Sequence, residues 1–372
     1  MRRLKVYTGL LFLLFLGAYS SHAQKPVATV SLGGEHGAAF VLNPVTNKIY
    51  VVGGLGNSLT EIDGRTLTAI KIPLQDTGKE VASAHVAVDA NRNKIFVINV
   101  VSKNVAIVDG ATHAVSFVPT EAGPYALTVN QVTHKVYVAD FDGNAVTILD
   151  ERTETVKNVA VGTHPSAIAV NWASNKIYTA NANSDDVSVI DGATDAVTTL
   201  KVGAYPTALA VDTFRNLIYV ANLLGGSITV IDGWNNAMQT MEVGAYPFVV
   251  AVNQTSNKIY AALQTGGDVI VLDRAKGTTT KVPGAALATE FAIDELRNKV
   301  YVADPTNNQI VVIYGETEQS STVAGTGSHL WQVRVNPLTN EFYGLSLISG
   351  DVGIYCVSPA ALPAWALDLF GK

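Results

Sequence analysis

Short apolar runs alternate with turn-forming residues along almost the whole chain. The most regular stretch, His164 to Gly203, holds four such runs separated by segments rich in Asn, Asp and Gly. The runs are rich in Val, Ile, Thr and Tyr, which favour β-strands, and they show no amphipathic helical period. They predict strands at Ser166–Val170, Lys176–Ala180, Val187–Ile190 and Ala196–Val202.

This four-strand unit is repeated eight times. An aromatic residue ends an Asn-Lys-Ile-Tyr-like tetrad in each copy, at Tyr50, Phe96, Tyr137, Tyr178, Tyr219, Tyr260, Tyr301 and Tyr343. Most of these anchor residues are 41 positions apart. A period of this length with four strands per unit is typical of a β-propeller blade. The pattern predicts an all-β fold, a single eight-bladed β-propeller, with a seven-bladed ring containing one aberrant unit as the alternative.

The two ends of the repeat array predict how the ring closes. The eighth copy has only three strands, because Pro359 and Pro363 stand where a fourth would begin and proline cannot donate to a ladder. Val27–Gly33 precedes the first copy and belongs to no unit of its own. We expect it to complete the last blade, which removes the free sheet edges. The β-propeller domain is expected over 24–358, followed by a tail at 359–372.

The first 23 residues have the pattern of a secretory signal peptide. Arg2, Arg3 and Lys5 precede the apolar run Gly9–Ala18, and Ser21-His22-Ala23 places small residues before a cleavage site. The apolar run is too short for a membrane span, although an uncleaved anchor is the alternative. The prediction is a secreted or periplasmic, and therefore extracytoplasmic, protein without a transmembrane segment after removal of the signal peptide.

Composition and charge narrow the choice of partners. Hydrophobic residues make up 48% of the chain and charged residues only 15%, as expected for many buried strands. Removing residues 1–23 leaves 22 Lys and Arg against 31 Asp and Glu, a net charge of −9. An acidic protein is a poor ligand for nucleic acid or anionic lipid. Cys356 is the only cysteine, so no internal disulfide is possible, and we expect it to be a small buried residue.

Several segments resemble a known repeat. Ile177-Tyr178-Thr179-Ala180-Asn181, Ile218-Tyr219-Val220-Ala221-Asn222, Val187-Ser188-Val189-Ile190-Asp191 and the junction Lys201-Val202-Gly203-Ala204-Tyr205-Pro206 are similar to the repeat of the YVTN family of surface-layer and secreted β-propellers. The resemblance covers about residues 27–357. It implies the propeller fold and an extracytoplasmic location, and it implies no particular activity.

Positions shared by most copies are interpreted as structural. An Asp ends the third strand of six copies and is often followed by Gly, as at Asp63, Asp109, Asp191 and Asp232. This favours a turn over a calcium site, because one carboxylate per blade lies far from the next. The Asn or Asp three residues after the anchor should brace the hairpin between the second and third strands, and the one seven residues before it should start the preceding turn. No metal site and no cofactor are predicted.

Positions that differ between copies are the candidates for function. Fourteen residues before the anchors stand His36, Ala82, Gly123, His164, Tyr205, Tyr246, Leu287 and His329. These positions lie in the loops between blades, so they predict a partial ring of His and Tyr around the mouth of the central channel. Nearby aromatic residues, Tyr125, Phe248 and Trp331, extend this surface. The predicted ligand-binding residues are His36, His164, Tyr205, Tyr246, His329, Trp331 and Gln332.

Eleven and nine residues before the anchors, most copies have small residues, and the exceptions are polar. These exceptions are His85, Glu290 and Gln332 at the first position and Arg334 at the second. They fall in blades 2, 7 and 8, which a closed ring places close to one another. Buried polar groups cost free energy unless they are paired. The interpretations left open are a Glu290–Arg334 ion pair that fills the channel, a small-ligand pocket, and a metal or catalytic centre.

The sequence lacks the motifs of common enzymes. It has no phosphate-binding loop, nucleophile elbow, CxxC, HExxH or haem-attachment motif. We therefore expect a non-catalytic propeller, a monomer that binds a protein, a cell-envelope component or a small ligand at the channel mouth. The alternative is a lactonase-like hydrolase or lyase in the channel, for which His85, Glu290 and Arg334 are the only catalytic candidates.

Overall fold

The computed structural model describes residues 26–54, 57–74, 83–153 and 155–356. Within these ranges the chain forms 32 strands in eight four-stranded antiparallel sheets. The described part of the chain contains no helix that could cross a membrane. The predicted signal peptide at 1–23 and tail at 359–372 lie outside the described residues.

The strands follow the repeat throughout. In chain order they are β1 Ala28–Ser31, β2 Gly37–Asn43, β3 Lys48–Gly53, β4 Ser58–Asp63, β5 Ala69–Pro73, β6 Ser83–Asp89, β7 Lys94–Asn99, β8 Asn104–Asp109, β9 Val115–Pro119, β10 Pro124–Asn130, β11 Lys135–Asp140, β12 Ala145–Asp150, β13 Thr155–Ala160, β14 Pro165–Asn171, β15 Lys176–Asn181, β16 Asp186–Asp191, β17 Val197–Lys201, β18 Pro206–Asp212, β19 Leu217–Asn222, β20 Ser227–Asp232, β21 Met238–Glu242, β22 Pro247–Asn253, β23 Lys258–Leu263, β24 Asp268–Asp273, β25 Thr278–Pro283, β26 Glu290–Asp294, β27 Lys299–Asp304, β28 Gln309–Tyr314, β29 Ser320–Ala324, β30 Leu330–Asn336, β31 Glu341–Ser346 and β32 Asp351–Cys356.

Blades 1 to 7 each use four consecutive strands, a to d, starting with β2, and blade 8 uses β30, β31, β32 and β1. The last sheet is closed by the N-terminal strand, whose Ala28 is paired with Ile354 and whose Ser31 is paired with Asp351. The predicted eight-bladed β-propeller and its closure by this strand are confirmed, and the seven-bladed alternative is wrong. In blade 4 every observed strand boundary lies within one residue of its predicted position.

Consecutive strands run antiparallel, so the turns of each blade lie at two opposite ends of the ring. We call the end formed by the b–c turns, such as 141–144, and the d–a connectors, such as 120–123, the mouth face. The end formed by the a–b and c–d turns, such as 172–175 and 192–195, is the base face. Strand a lines the central channel, and strand d lies on the outer, more exposed side.

The hydrophobic core is divided into eight clusters, and each cluster joins two adjacent blades. The cluster between blades 4 and 5, for example, contains Tyr178 and Val187 from one blade and Ile218 and Ile231 from the other. A corresponding cluster joins blade 8 to blade 1. The anchor residues are almost completely inaccessible in all eight blades. Burial of apolar surface therefore stabilises the joints between blades, and a blade depends on its neighbours for its core.

A polar side chain also bridges each joint on the base face. The Asn or Asp that ends strand a is fully buried in every blade. In blade 4, Asn171 Oδ1 accepts hydrogen bonds from the backbone N–H groups of Ala173 and Ser174, which confirms its predicted role in the turn. Its Nδ2 also donates to Asn216 Oδ1 of blade 5 at 2.7 Å, a contact that the sequence did not suggest. Equivalent amide bridges join Asn43 to Asn93, Asn130 to Asn175, Asn253 to Asn298 and Asn336 to Asn47.

The other three joints have an Asp in place of the Asn, and a cation or imidazole replaces the missing amide donor. His134 of blade 3 lies 2.6 Å from Asp89 of blade 2. Arg215 binds Asp212 within blade 5 and donates to the backbone carbonyl of Gln254 in blade 6. Arg297 does the same for Asp294 in blade 7 and Pro337 in blade 8. All eight joints therefore have a polar bridge beside the apolar cluster.

We expect Asn171→Ala to lower the free energy of unfolding by about 2–3 kcal/mol. The substitution leaves buried polar groups of the turn and of Asn216 without a hydrogen-bond partner. Urea denaturation followed by tryptophan fluorescence measures the change. Asn183→Ala, at an exposed position of the same blade, is the control and should change the free energy by less than about 0.5 kcal/mol. Equal effects of the two substitutions would contradict a bridging role for Asn171.

Candidate functional site

The d–a connectors on the mouth face are fixed to the preceding blade. The N–H of His164 donates to Asn144 Oδ1 at 2.8 Å, and the N–H of Tyr205 donates to Asp185 Oδ1 at 2.8 Å. Asn144 and Asp185 both come from the b–c turn before the connector. Because the connectors are anchored in this way, the side chains that they carry are presented in defined positions.

Five of these connectors have a residue with a left-handed backbone at the same point, just before strand a. Gly123 has φ of 67°, and the other four are His164, Tyr205, Tyr246 and His329, with φ of 55°, 55°, 59° and 65°. A bulky side chain in this region costs free energy that glycine or asparagine largely avoids. At the b–c turns, by contrast, the left-handed position has Asn, Asp or Gly in seven blades and Lys103 in one.

The structure places the predicted ligand-binding residues on the mouth face, in different environments. His36 is exposed, Tyr246 is 43% exposed, and His164, Tyr205 and His329 are half-buried. The rings of His329 and Trp331 are stacked, with centroids 6.3 Å apart. Gln332 has a structural contact, because its Oε1 accepts the N–H of Phe40 from blade 1 at 2.9 Å.

In the channel, Glu290 of blade 7 and Arg334 of blade 8 form an ion pair through Glu290 Oε1 and Arg334 Nη1. Glu290 Oε2 also accepts the N–H of Val333 at 3.3 Å. The Arg334 guanidinium lies 5.3 Å from the centre of the Phe40 ring. The pair therefore links blades 7, 8 and 1. The first interpretation also had this pair fill the channel, which stays a prediction.

Burial controls the protonation of these channel groups. It raises the pKa of Glu290, and the Arg334 charge partly opposes this increase. The Glu290 side chain is 22% exposed. Burial lowers the pKa of His85, and the Arg334 charge lowers it further, so His85 is neutral at pH 7. The Arg334 charge therefore acts on the His85 imidazole. The ring of His85 is in contact with that of Tyr125 in blade 3.

Two cavities of the described residues lie away from these groups. One, of about 560 Å³, is on the base face between blades 6 and 7 and includes Thr255, Glu295 and Glu316. The other, of about 180 Å³, includes Lys94 and Asp109 of blade 2. Neither is lined by His85, Glu290 or Arg334. No three His, Cys, Asp or Glu side chains of the described chain are grouped so that they could share a metal ion.

Four rings form a continuous arc across blades 2, 3 and 4 on the mouth face. The ring of His85 lies 5.8 Å from that of Tyr125, which lies 5.6 Å from Phe141. Phe141 is stacked on His164 at 4.4 Å, with the two planes 2° apart. Tyr125 is 48% exposed, so the arc presents an aromatic surface to solvent. We call these four residues the aromatic arc.

Phe141 was not among the residues predicted from the sequence. It lies four residues after the anchor of blade 3, where the other blades have Gly54, Val100, Ala182, Leu223, Gln264, Pro305 and Leu347. Phe141 is the only aromatic residue in this series. The b–c turns differ between copies as the connectors do, and this difference is the signal in the sequence that marks Phe141.

Asp140, beside the arc at the end of strand b of blade 3, is a fully buried carboxyl group. Its Oδ2 accepts a hydrogen bond from Thr147 Oγ1 at 2.6 Å, whereas its Oδ1 is buried without a hydrogen-bond partner among the described residues. Burial raises the pKa of Asp140 to about 6, and the nearby charge of Glu121 adds to this effect. The equivalent Asn181 of blade 4 braces the same hairpin by donating to Asp186 and Ser188.

Solved structures with the same fold were found by structural comparison. A hydrazine synthase structure from Kuenenia stuttgartiensis superposes with a TM-score of 0.60 at 15% identity, covering 76% of this chain and 99% of the other. Virginiamycin B lyase from Staphylococcus aureus superposes with a TM-score of 0.60 at 8% identity, covering 89% of this chain and 99% of the other. No family profile and no curated protein matches the sequence. At these identities the comparisons establish the β-propeller fold.

We expect Arg334→Leu to lower the free energy of unfolding at pH 7 by about 2–3 kcal/mol, because it leaves Glu290 without its counter-charge. The pKa of Glu290 is raised in the folded state, so this loss should become smaller as the pH falls towards about 4 and the carboxyl is protonated. Urea denaturation at pH 7 and at pH 4.5 measures the loss in the free energy of unfolding. Most of the loss should be recovered in Glu290→Leu/Arg334→Leu. A deficit that is the same at both pH values would argue against the ion pair.

A second expectation concerns Asp140. Its folded pKa of about 6 lies above its value in an unfolded chain, so the stability it contributes is present at low pH and is lost as the pH rises through 6. Asp140→Asn should therefore be more stable than the wild type by about 1–3 kcal/mol at pH 8 and equally stable below pH 4. Asp304→Asn is the contrasting control, because Asp304 Oδ2 accepts hydrogen bonds from Asn307 and Gln309 and should be needed at both pH values.

Proposed function

We propose that this β-propeller is a binding protein whose partner contacts the mouth face, and that it acts without catalysis. The observation that supports this most strongly is the bulky left-handed residue at one equivalent position of four connectors, His164, Tyr205, Tyr246 and His329. Such a backbone costs about 1–3 kcal/mol for each residue and persists where the surroundings enforce it. Gly123, at the equivalent position of a fifth connector, has no side chain and adopts this backbone without strain. The four large side chains have no role in the blade core.

The four residues fit a contact surface. Aromatic and imidazole side chains are enriched where proteins bind partners, because they supply rigid, amphipathic area at little cost in conformational entropy. The connectors of His164 and Tyr205 are fixed by side chains of the preceding b–c turns, so this part of the surface needs little ordering when a partner binds. The exposed rings of Tyr246 and Tyr125 are available to it.

The alternative function, a lactonase-like hydrolase or lyase, is less well supported. Such an enzyme needs a free acid and base facing an open cavity. The Glu290 carboxylate is paired with Arg334 and with a backbone N–H, so it is not a free base. The lyase among the structures of similar fold shares 8% identity, which gives no support for a shared reaction.

We also propose that the partner is met outside the cytoplasm, in the periplasm or at the cell surface. The basic and apolar pattern of residues 1–23 supports an exported chain, and the similarity of the repeat to secreted propellers supports it too. The partner classes that remain are a protein, a cell-envelope component and a small ligand.

The test compares the two faces of the ring. The purified protein is immobilised and exposed to a panel of envelope polysaccharides, peptides and small molecules. We expect Tyr205→Ser/Tyr246→Ser to weaken binding of any ligand by about tenfold or more at an unchanged Tm. Trp172→Ser/Phe214→Ser removes two exposed aromatic residues from the base face and should bind as the wild type does.

The proposal fails if the base-face variant loses binding and the mouth-face variant keeps it. Turnover of lactones or related substrates that disappears in Glu290→Gln with the fold intact would favour the enzyme instead.

A further inference from the structure

Charge is unevenly distributed between the two faces. Seven arginines lie in the described residues, and six of them, Arg65, Arg92, Arg152, Arg215, Arg274 and Arg297, are in turns of the base face. The described turns and connectors of the mouth face have one lysine, Lys103, and four carboxylates, Glu35, Glu121, Asp142 and Asp185. A partner that approaches the mouth face therefore meets a negative field.

Two of these four carboxylates already have a role. Glu35 forms an ion pair with Lys71 at 2.7 Å, and Asp185 accepts the N–H of Tyr205. Glu121 and Asp142 form no ion pair with any lysine or arginine of the described chain. Glu121 Oε1 accepts a hydrogen bond from Asn158 Nδ2, which fixes the side chain and leaves its charge uncompensated.

Glu121 and Asp142 lie on the two backbone segments that build the aromatic arc. The connector and the b–c turn of blade 3 are joined by hydrogen bonds from Phe141 N–H to Gly123 O and from Gly143 N–H to Ala122 O, both 2.8 Å long. Asp142 packs over Gly123, where a Cβ atom would lie 2.6 Å from Asp142 Oδ2. The glycine thus permits a close approach that the His and Tyr of other connectors would prevent.

Asp140 adds to the negative character of this site. It is buried under the same turn, and Glu121 acts on it strongly enough to contribute to its raised pKa. Its Oδ1 has no hydrogen-bond partner in the part of the chain that the structure describes. The connector and b–c turn of blade 3 that carry Tyr125 and Phe141 therefore also carry Glu121 and Asp142, next to Asp140.

We propose that the aromatic arc, with Glu121 and Asp142, binds a cationic side chain of a protein partner, an arginine or lysine in an extended segment. Aromatic faces attract guanidinium and ammonium groups, and nearby carboxylates add a direct charge interaction. The surface is open rather than enclosed, since Tyr125 is 48% exposed. An open surface suits a polymer, because small molecules usually bind in concave pockets whereas protein partners bind broad surfaces. The inference rests on the proposed function and specifies the partner's chemistry.

The experiment measures fluorescence anisotropy with a labelled peptide that alternates arginine and glycine. Peptides with lysine or glutamate in place of arginine, and free arginine as a competitor, distinguish the chemistry. We expect the arginine peptide to bind, the glutamate peptide to fail, and affinity to fall as salt is raised. Asp142→Asn and Tyr125→Leu should each weaken binding by about two- to fivefold, and the double variant by about tenfold.

Matched controls come from the same chain. Phe214→Leu removes an exposed aromatic residue from the base face and should leave binding of the arginine peptide unchanged. Glu316→Gln removes an exposed carboxylate from the base face and should also have no effect. Tm values verify that each variant is folded.

The inference is overturned if the glutamate peptide binds as well as the arginine peptide, or if Asp142→Asn and Tyr125→Leu bind like the controls. Free arginine that binds as tightly as the peptide would identify a small cation as the ligand and would contradict a protein segment. If the arginine peptide fails but another ligand depends on Tyr205 and Tyr246, only the cationic chemistry is wrong. If no ligand depends on the mouth face, the proposed function fails as well.

Discussion

The joint between neighbouring blades is the interaction on which this structure depends. Each joint combines an apolar cluster with a buried polar bridge on the base face. The bridging residue has two functions, because Asn171 shapes its own turn with Oδ1 and reaches the next blade with Nδ2. If the a–b turn of a blade is not formed, its bridge to the next blade is incomplete. If the two blades are apart, the Asn171 Nδ2 lacks its acceptor in the next blade. Local and long-range structure are coupled through one side chain.

The Asp-containing joints show how strict this requirement is. A carboxylate has no proton to donate, and the chain supplies one from His134, Arg215 or Arg297 instead. The base face is therefore occupied by structural contacts. The mouth face is stabilised differently, by the connectors' attachment to the b–c turns, and its side chains are left free to differ from blade to blade. This division explains why the copies are uniform at one end of the ring and variable at the other.

The sequence predicted the fold well because the repeat gives eight independent views of the same blade. The anchor tyrosines and the Asp turns were identified from their constant spacing, and closure by Val27–Gly33 followed from the missing eighth d strand. Contacts between copies could not be predicted in the same way. The hydrogen bond from Asn171 Nδ2 to Asn216 and the stacking of Phe141 on His164 depend on how one blade is oriented against the next. The spacing within a copy does not encode this orientation. Glu290 and Arg334 were identified as exceptions with an ion pair as one of three interpretations, and the geometry shows their contact.

The strand that closes the ring also imposes an order on its assembly. Ala28 and Ile354 are hydrogen-bonded neighbours, although more than 300 residues separate them along the chain. During synthesis the first strand to emerge has no partner until the last hairpin is complete. Blades 1 to 7 can form successive joints in the meantime, but the final joint forms only when the two ends of the domain meet, a slow, non-local step. The chain therefore remains an open arc with two uncovered edges until β1 and β32 pair, and uncovered edges favour aggregation.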